Sequence, residues 1–286
     1  MIEATGGTLH RARVTGPLGM PVTAEWGSFE AAGAPVKTAI IEIAAAAGLH
    51  LIPMCKRDPT HTTTFGVGQL IGCAVEAGCD PIIIGLGGSA TCDGGAGMAQ
   101  ALGCCFTLDG GQVADVPMTG GLLSRVTDVN RSTIAPEYRD GQRLLVACDV
   151  DNPLCGPRGS AAVYGPQKGA SPEQVTTLDD GLRHLASLMP DIDHDFPGAG
   201  AAGGFGFGFK AFCNARIERG IDLVLQTLNF SARAASADLV ITGEGCIDSQ
   251  TMHGKAVHGV AQAGMRARHA RNRAGRHRRT RSRTDD

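Results

Sequence analysis

No apolar run in the 286 residues approaches the roughly 18–20 needed to span a bilayer, so no segment reads as a membrane helix. The opening Met1-Ile2-Glu3-Ala4 has no basic stretch leading into an apolar one, which argues against a signal peptide and for a cytoplasmic protein. The ten cysteines include no Cys-x-x-Cys, which excludes the usual zinc spacings. Reduced, buried thiols are expected instead. Aromatic residues are scarce at 4%, so the sequence shows no stacking platform for nucleic acid. No Gly-Lys-Ser/Thr follows any glycine loop, and this rules out a Walker A motif.

Glycine, by contrast, is abundant at 41 residues. Its backbone freedom suits tight turns and close approaches, although a biased genomic composition would give the same total. The net charge of −2 conceals an asymmetry: residues 264–286 hold nine arginines against two aspartates, and the rest of the chain is acidic. That tail has no apolar period and is expected to be disordered.

The chain opens with strand-like segments at 9–14, 22–26 and 38–43, the first two joined by Gly16-Pro17-Leu18-Gly19. Residues 66–78 carry apolar positions at helical spacing. Ile82-Ile83-Ile84-Gly85-Leu86 reads as a strand buried on both faces, as in a parallel sheet. Helix 96–102, strand 143–148, helix 172–188 capped by Ser171 with Gln174, helix 205–213 and a third buried strand at 238–242 continue the alternation. The pattern specifies an α/β fold.

Four stretches carry chemistry. The first is Gly85-Leu86-Gly87-Gly88-Ser89-Ala90-Thr91-Cys92-Asp93-Gly94-Gly95. Glycines after a strand bring backbone N–H groups close to an anion, and Ser89 and Thr91 add hydroxyls. Asp93 is placed to hold Mg²⁺ or take a proton; a tightly packed turn is the competing reading. In the second, Asp149-Val150-Asp151-Asn152 follows the end of a buried strand, where hard oxygen ligands suit Mg²⁺. An Asx-type turn fits the same residues. Lys168, in Gly165-Pro166-Gln167-Lys168-Gly169, offers a charge to a phosphate or is simply solvated. The third, Pro197-Gly198-Ala199-Gly200-Ala201-Ala202-Gly203-Gly204, is either an anion cradle or a hinge. The fourth runs from Thr242 to Lys255, with Glu244 and Asp248 as metal or hydroxyl contacts and Lys255 as a phosphate contact; His253 reads as a packing residue. Phosphate cradles, carboxylates for Mg²⁺ and a base near an acceptor hydroxyl are the equipment of phosphoryl transfer.

The strings GLGGSATCDGGAGMAQALG, VACDVDNPLCGPRGSAAVYGPQKGA, PGAGAAGGFGFGFKAF and DLVITGEGCIDSQTMHGK closely resemble type-1 glycerate kinases and fall in that family's order. The resemblance runs from about Ala4 to about Ala263. It implies a two-lobed type-1 fold with Rossmann-like layers, incomplete at both the N- and C-termini. It also implies ATP- and Mg²⁺-dependent phosphorylation of D-glycerate, with 2-phosphoglycerate the usual product. Glycerate is then the partner, with neither nucleic acid nor membrane. Residues 1–231 are expected to form the larger lobe, 232–263 part of a discontinuous second lobe and 264–286 the tail. Carried onto this chain, Asp93, Asp151, Lys168 and Asp248 are the catalytic candidates. Gly87, Gly88, Ser89, Thr91, Gly203, Gly204 and Lys255 are the nucleotide contacts, and Asp149, Asp151 and Glu244 are the metal ligands; Asn152 is expected to face the same cleft. The family's early Pro-Asp-Ser-Phe-Lys and Asp-Gly-Gly-Glu-Gly type motifs are not found here. Cys92 replaces a usual Asn, and Cys246 a usual Arg whose bidentate charge contact cysteine does not reproduce. Two other readings are weighed. A nicotinamide-dependent oxidoreductase requires a G-x-G-x-x-G opening a helix, which does not appear cleanly. Nucleic-acid binding through the tail conflicts with the acidic body.

Overall fold

The computed structural model of the chain describes residues 1–30, 36–243 and 257–266. Two compact units emerge, residues 2–218 and residues 219–286 with Met1. The last strand joined to the main sheet ends at Glu218.

Within residues 2–218 the order is α1 (Ile2–Thr5), β1 (Thr8–Thr15), β2 (Pro21–Glu30), β3 (Lys37–Glu42), α2 (Ala44–Ala47), α3 (Phe65–Glu76), β4 (Cys79–Gly85), α4 (Ala96–Ala101), β5 (Cys105–Leu108), β6 (Val126–Asn130), α5 (Pro136–Arg139), β7 (Leu144–Ala147), α6 (Ser160–Tyr164), α7 (Pro172–Ser187), α8 (Ala201–Cys213) and β8 (Arg216–Glu218). Six strands form one sheet in the order β1-β2-β3-β4-β7-β8, and β5 and β6 form a separate antiparallel pair. The β1–β2 hairpin is antiparallel, with Val14 opposite Val22. Its turn closes through Gly16, whose N–H donates to the Met20 carbonyl at 2.7 Å.

From β3 onward the main sheet is parallel, β3 to β4, β4 to β7 and β7 to β8. Ile82, Ile83 and Ile84 are all buried at its centre, as a strand covered on both faces requires. The register sets Glu42, Gly85, Ala147 and Glu218 side by side. The carboxyl ends of four parallel strands therefore share one edge, where open α/β sheets bind ligands.

Helix α7 starts with a full capping box: Ser171 accepts from the Gln174 amide while the Gln174 side chain accepts from the Ser171 amide. Its apolar Leu178, Leu182 and Leu185 face inward. Helix α8 is regular only from Phe205, because Ala202, Gly203 and Gly204 have left-handed φ values of 54°, 90° and 82°. Its glycines allow close packing. A Cβ on Gly208 would lie 2.3 Å from the Gly94 carbonyl oxygen, and one on Gly206 would lie 2.0 Å from that of Gly198. Phe205 and Phe209 stack at 4.5 Å on another side of this helix.

All nine described cysteines are free. Burial pushes Cys104, Cys155 and Cys213 up to about 12, so these thiols stay protonated, as expected of buried, reduced residues.

Residues 219–286 include α9 (Gly220–Thr227), α10 (Phe230–Ala235) and a helical stretch at 257–266, where Gly259 packs on Ile221. The strand expected at 238–242 does not form. Leu239 and Ile241 are exposed, and no described segment pairs with them. An apolar run becomes a buried strand only when neighbours satisfy its backbone and cover its faces. Residues 244–256, which carry Glu244, Asp248 and Lys255, and the arginine-rich 267–286 lie outside the described residues.

Gly203 has φ 90°, and a Cβ there would meet the Thr91 carbonyl oxygen at 1.9 Å. Gly203→Ala is expected to destabilise the protein by about 3 kcal/mol or more, read as a fall in the urea midpoint at unchanged slope.

Candidate active site

The loop after β4 is built by a buried carboxylate. Asp93 is fully buried. Its Oδ2 accepts from the Thr64 amide at 2.8 Å, the Thr64 hydroxyl at 2.8 Å and the Gly97 amide at 3.2 Å, and its Oδ1 accepts from the Gly95 amide at 3.1 Å. The Thr64 hydroxyl oxygen in turn accepts from the Met98 amide. One side chain thus ties the segment before α3 to the glycine loop and the start of α4. Burial pushes the Asp93 carboxyl up, and the donors from Thr64, Gly95 and Gly97 act against that rise. With both oxygens engaged and no exposed surface, Asp93 does not reach the sheet edge as expected of a metal ligand or base.

The exposed part of the loop is Gly87-Gly88, with Ser89 just below the surface. A strap from 47–49 holds it: the Leu49 amide donates to the Gly88 carbonyl, and the Ala90 amide to the Ala47 carbonyl. The amides of Gly87, Gly88 and Ser89 themselves donate to nothing among the described residues. A Cβ on Gly87 would meet no atom within 4 Å, so space lies beside it. The loop therefore presents three successive amides without an acceptor, with open space at Gly87.

Lys168 lies behind this loop and is 2% exposed. Its Nζ donates to the Ser89 hydroxyl oxygen at 2.9 Å and the Thr91 carbonyl at 2.7 Å. Burial lowers its pKa, and the nearby Asp93 carboxylate acts in the opposite direction. The adjacent Gly169 has φ 98°, and a Cβ there would lie 2.2 Å from the Arg57 carbonyl oxygen, so the Lys168 turn and the Arg57 strap touch.

Gly203 and Gly204 do not face open space. They pack on Thr91, Cys92, Leu182, Leu154 and Gly94, and the Gly94 amide donates to the Gly203 carbonyl. Close packing therefore accounts for these two glycines, where an anion cradle or a hinge was expected. Thr91 is fully buried with an unpartnered hydroxyl. Cys92 also turns inward, into an apolar cluster with Ala161 and Leu178.

Asp149 and Asp151 are exposed just beyond β7. Asp151 pairs with Arg158 at 3.6 Å. Asn152 is consumed by structure: its Oδ1 accepts from the Tyr164 hydroxyl at 2.6 Å and its Nδ2 donates to the Arg158 carbonyl at 2.9 Å.

Two contributions escaped the sequence reading. Thr62, Thr63 and Thr64 are buried, with the Thr62 hydroxyl donating to the Ala90 carbonyl at 3.0 Å. Three consecutive hydroxyls before an apolar helix were the available signal. The other is Arg57. Of the three half-buried arginines, Arg131 pairs with Asp191 and Arg143 with Asp80. Arg57 has no carboxylate partner among the described residues, and its Nε is buried without an acceptor.

The model of the Glycerate kinase family matches residues 1–275. The chain belongs to that family. It is 48% identical over 259 residues to the glycerate kinase of Bacillus subtilis strain 168, and equally to the glycerate 2-kinase of Escherichia coli strain K12. In both cases the match covers 89% of this chain and 66% of the relative, so the chain spans just under two thirds of their length. A crystal structure named for a glycerate kinase 2 of Salmonella typhimurium LT2 superposes with a TM-score of 0.84 at 46% identity, covering 94% of this chain and 71% of that one. The family's α/β architecture with a parallel-rich sheet is thus present here.

Asp93→Asn places an NH₂ group against amide donors. It is expected to cost about 3 kcal/mol of stability, against about 1–2 kcal/mol for Thr64→Ala, both measured by urea unfolding.

Proposed function

We propose that this chain is a glycerate kinase that transfers the γ-phosphoryl group of ATP to a hydroxyl of D-glycerate, with 2-phosphoglycerate as product and the cytoplasm as its place of action. The observation that carries the reading is the trio of unpaired amides at Gly87, Gly88 and Ser89, set at the carboxyl edge of the parallel sheet beside the exposed Asp149 and Asp151.

The residues present fit both ATP and Mg²⁺. Open space beside Gly87 admits phosphate oxygens to the free N–H groups. Mg²⁺ is usually held by one or two carboxylates together with phosphates and water, and Asp149 and Asp151 supply such oxygens. No cluster of three or more His, Cys, Asp or Glu forms a protein-only cage among the described residues. When bound, Mg²⁺ offsets the charge on the phosphates.

The chain's own residues do the positioning. The loop amides orient the phosphoryl oxygens, and the Asp93 network keeps those amides aligned without touching substrate. Asp151, exposed and 3.6 Å from Arg158, is the carboxylate assigned here to receive the proton of the acceptor hydroxyl. Arg57 has the unneutralised guanidinium that a glycerate carboxylate would pair with.

A coupled assay with glycerate, ATP and Mg²⁺ tests the reading, with the product position assigned by ³¹P NMR. Turnover to 2-phosphoglycerate is expected; no glycerate-dependent ATP consumption, or a 3-phosphate product, would refute the corresponding part. Asp149→Asn is expected to lower kcat by about 100-fold. Arg57→Lys should raise KM for glycerate by about tenfold and leave KM for ATP nearly unchanged.

A further inference from the structure

The Lys168 ammonium has three N–H donors and no acceptor. It donates to the Ser89 hydroxyl oxygen at 2.9 Å and to the Thr91 carbonyl at 2.7 Å. Ser89 Oγ must therefore accept from Lys168, and the serine proton has to point elsewhere. Ser89 Oγ donates to no other group among the described residues. The nearby Thr91 hydroxyl, fully buried, is unpartnered as well. Donors thus outnumber acceptors around this loop, with the free amides of Gly87, Gly88 and Ser89 adding to the excess.

Charge points the same way. Lys168 is buried and forms no ion pair among the described residues. The neighbouring acid, Asp93, acts on Lys168 through space but makes no hydrogen bond to it, because its oxygens are engaged by Thr64, Gly95 and Gly97. Cys92 beside it is a buried thiol whose pKa is raised by desolvation, so it contributes no anion. Arg57, on the strap packed against Gly169, adds positive charge.

We infer that Lys168 is a positioning residue that acts through Ser89: by donating to Ser89 Oγ it makes the serine hydroxyl an obligatory donor to a phosphoryl oxyanion seated on the Gly87–Ser89 amides. This rests on the phosphoryl-site reading of the loop given above. Lys168 itself does not touch the anion, because it is 2% exposed and its Nζ is spent on Ser89 and Thr91. Once it loses its proton, its nitrogen can accept from Ser89, and the serine proton turns inward, away from the ligand. Anion affinity is therefore highest while Lys168 is charged and falls as pH rises through its pKa, which burial sets below the ordinary lysine value of 10.5. Anion binding should in turn raise that pKa.

The test is a titration of the ¹⁵N-labelled full chain with inorganic sulfate, a phosphoryl mimic whose charge stays constant from neutral to alkaline pH, read from the Gly87 and Gly88 amide shifts. Ser89→Ala and Lys168→Met are each expected to weaken sulfate binding by about tenfold, and the double variant to bind no more weakly than the weaker single one. The wild-type affinity should decline with rising pH, and that of Ser89→Ala should be flat. Additive effects of the two substitutions overturn the inference. So does a pH-independent wild-type affinity, a readout that survives even if Lys168→Met does not fold. Sulfate behaviour as expected with no turnover of glycerate would remove the kinase reading and leave the Lys168–Ser89 coupling standing.

Discussion

The buried Asp93 carboxylate is the interaction on which the candidate site depends. Taking a carboxylate out of water costs several kcal/mol unless donors replace the lost hydration. Thr64, Gly95 and Gly97 provide those donors from two separate stretches of chain. Satisfying one group therefore fixes the relative placement of the segment before α3, the glycine loop and α4. The loop then has little freedom left, which is the condition for backbone amides to act as a preorganised anion site.

A second constraint comes from contact between glycines. Gly94 and Gly95 lie against Gly203, Gly204 and Gly208 at distances that no side chain would permit. The glycine-rich third motif thus supports the first from behind. Its role is mechanical, and open space lies instead beside Gly87 in the first motif. The excess of glycine has a local purpose at these positions, whatever also shapes the overall composition.

The electrostatics of the loop are unbalanced by design of its packing. Lys168 and Arg57 bring two positive charges to adjoining turns without a paired carboxylate, while the acids of the second motif lie out on the sheet edge. Positive charge thus lies behind the loop, with the unpaired amides on its other side and the carboxylates beyond β7.

Much of this was legible in the residues. The apolar run at Ile82-Ile83-Ile84 announced a strand covered on both faces, and Ser171 with Gln174 announced the start of α7, because periodicity and capping are local properties. The four motifs identified the family for the same reason: each is a continuous string. Other features depended on which segments meet. Asp93 and Lys168 had the chemistry of exposed catalytic groups in sequence and are buried in the structure. Leu239 and Ile241 had the pattern of a strand and remain exposed for want of a partner. The sequence by itself determined the α/β alternation, the family and the residue types available for phosphate and metal. Only the tertiary structure decided that Asp93 braces the loop, that Gly203 and Gly204 pack against it and that Lys168 is buried with its Nζ on Ser89. Burial and hydrogen-bond partners are set by contacts between residues distant in the chain, and no local pattern encodes them.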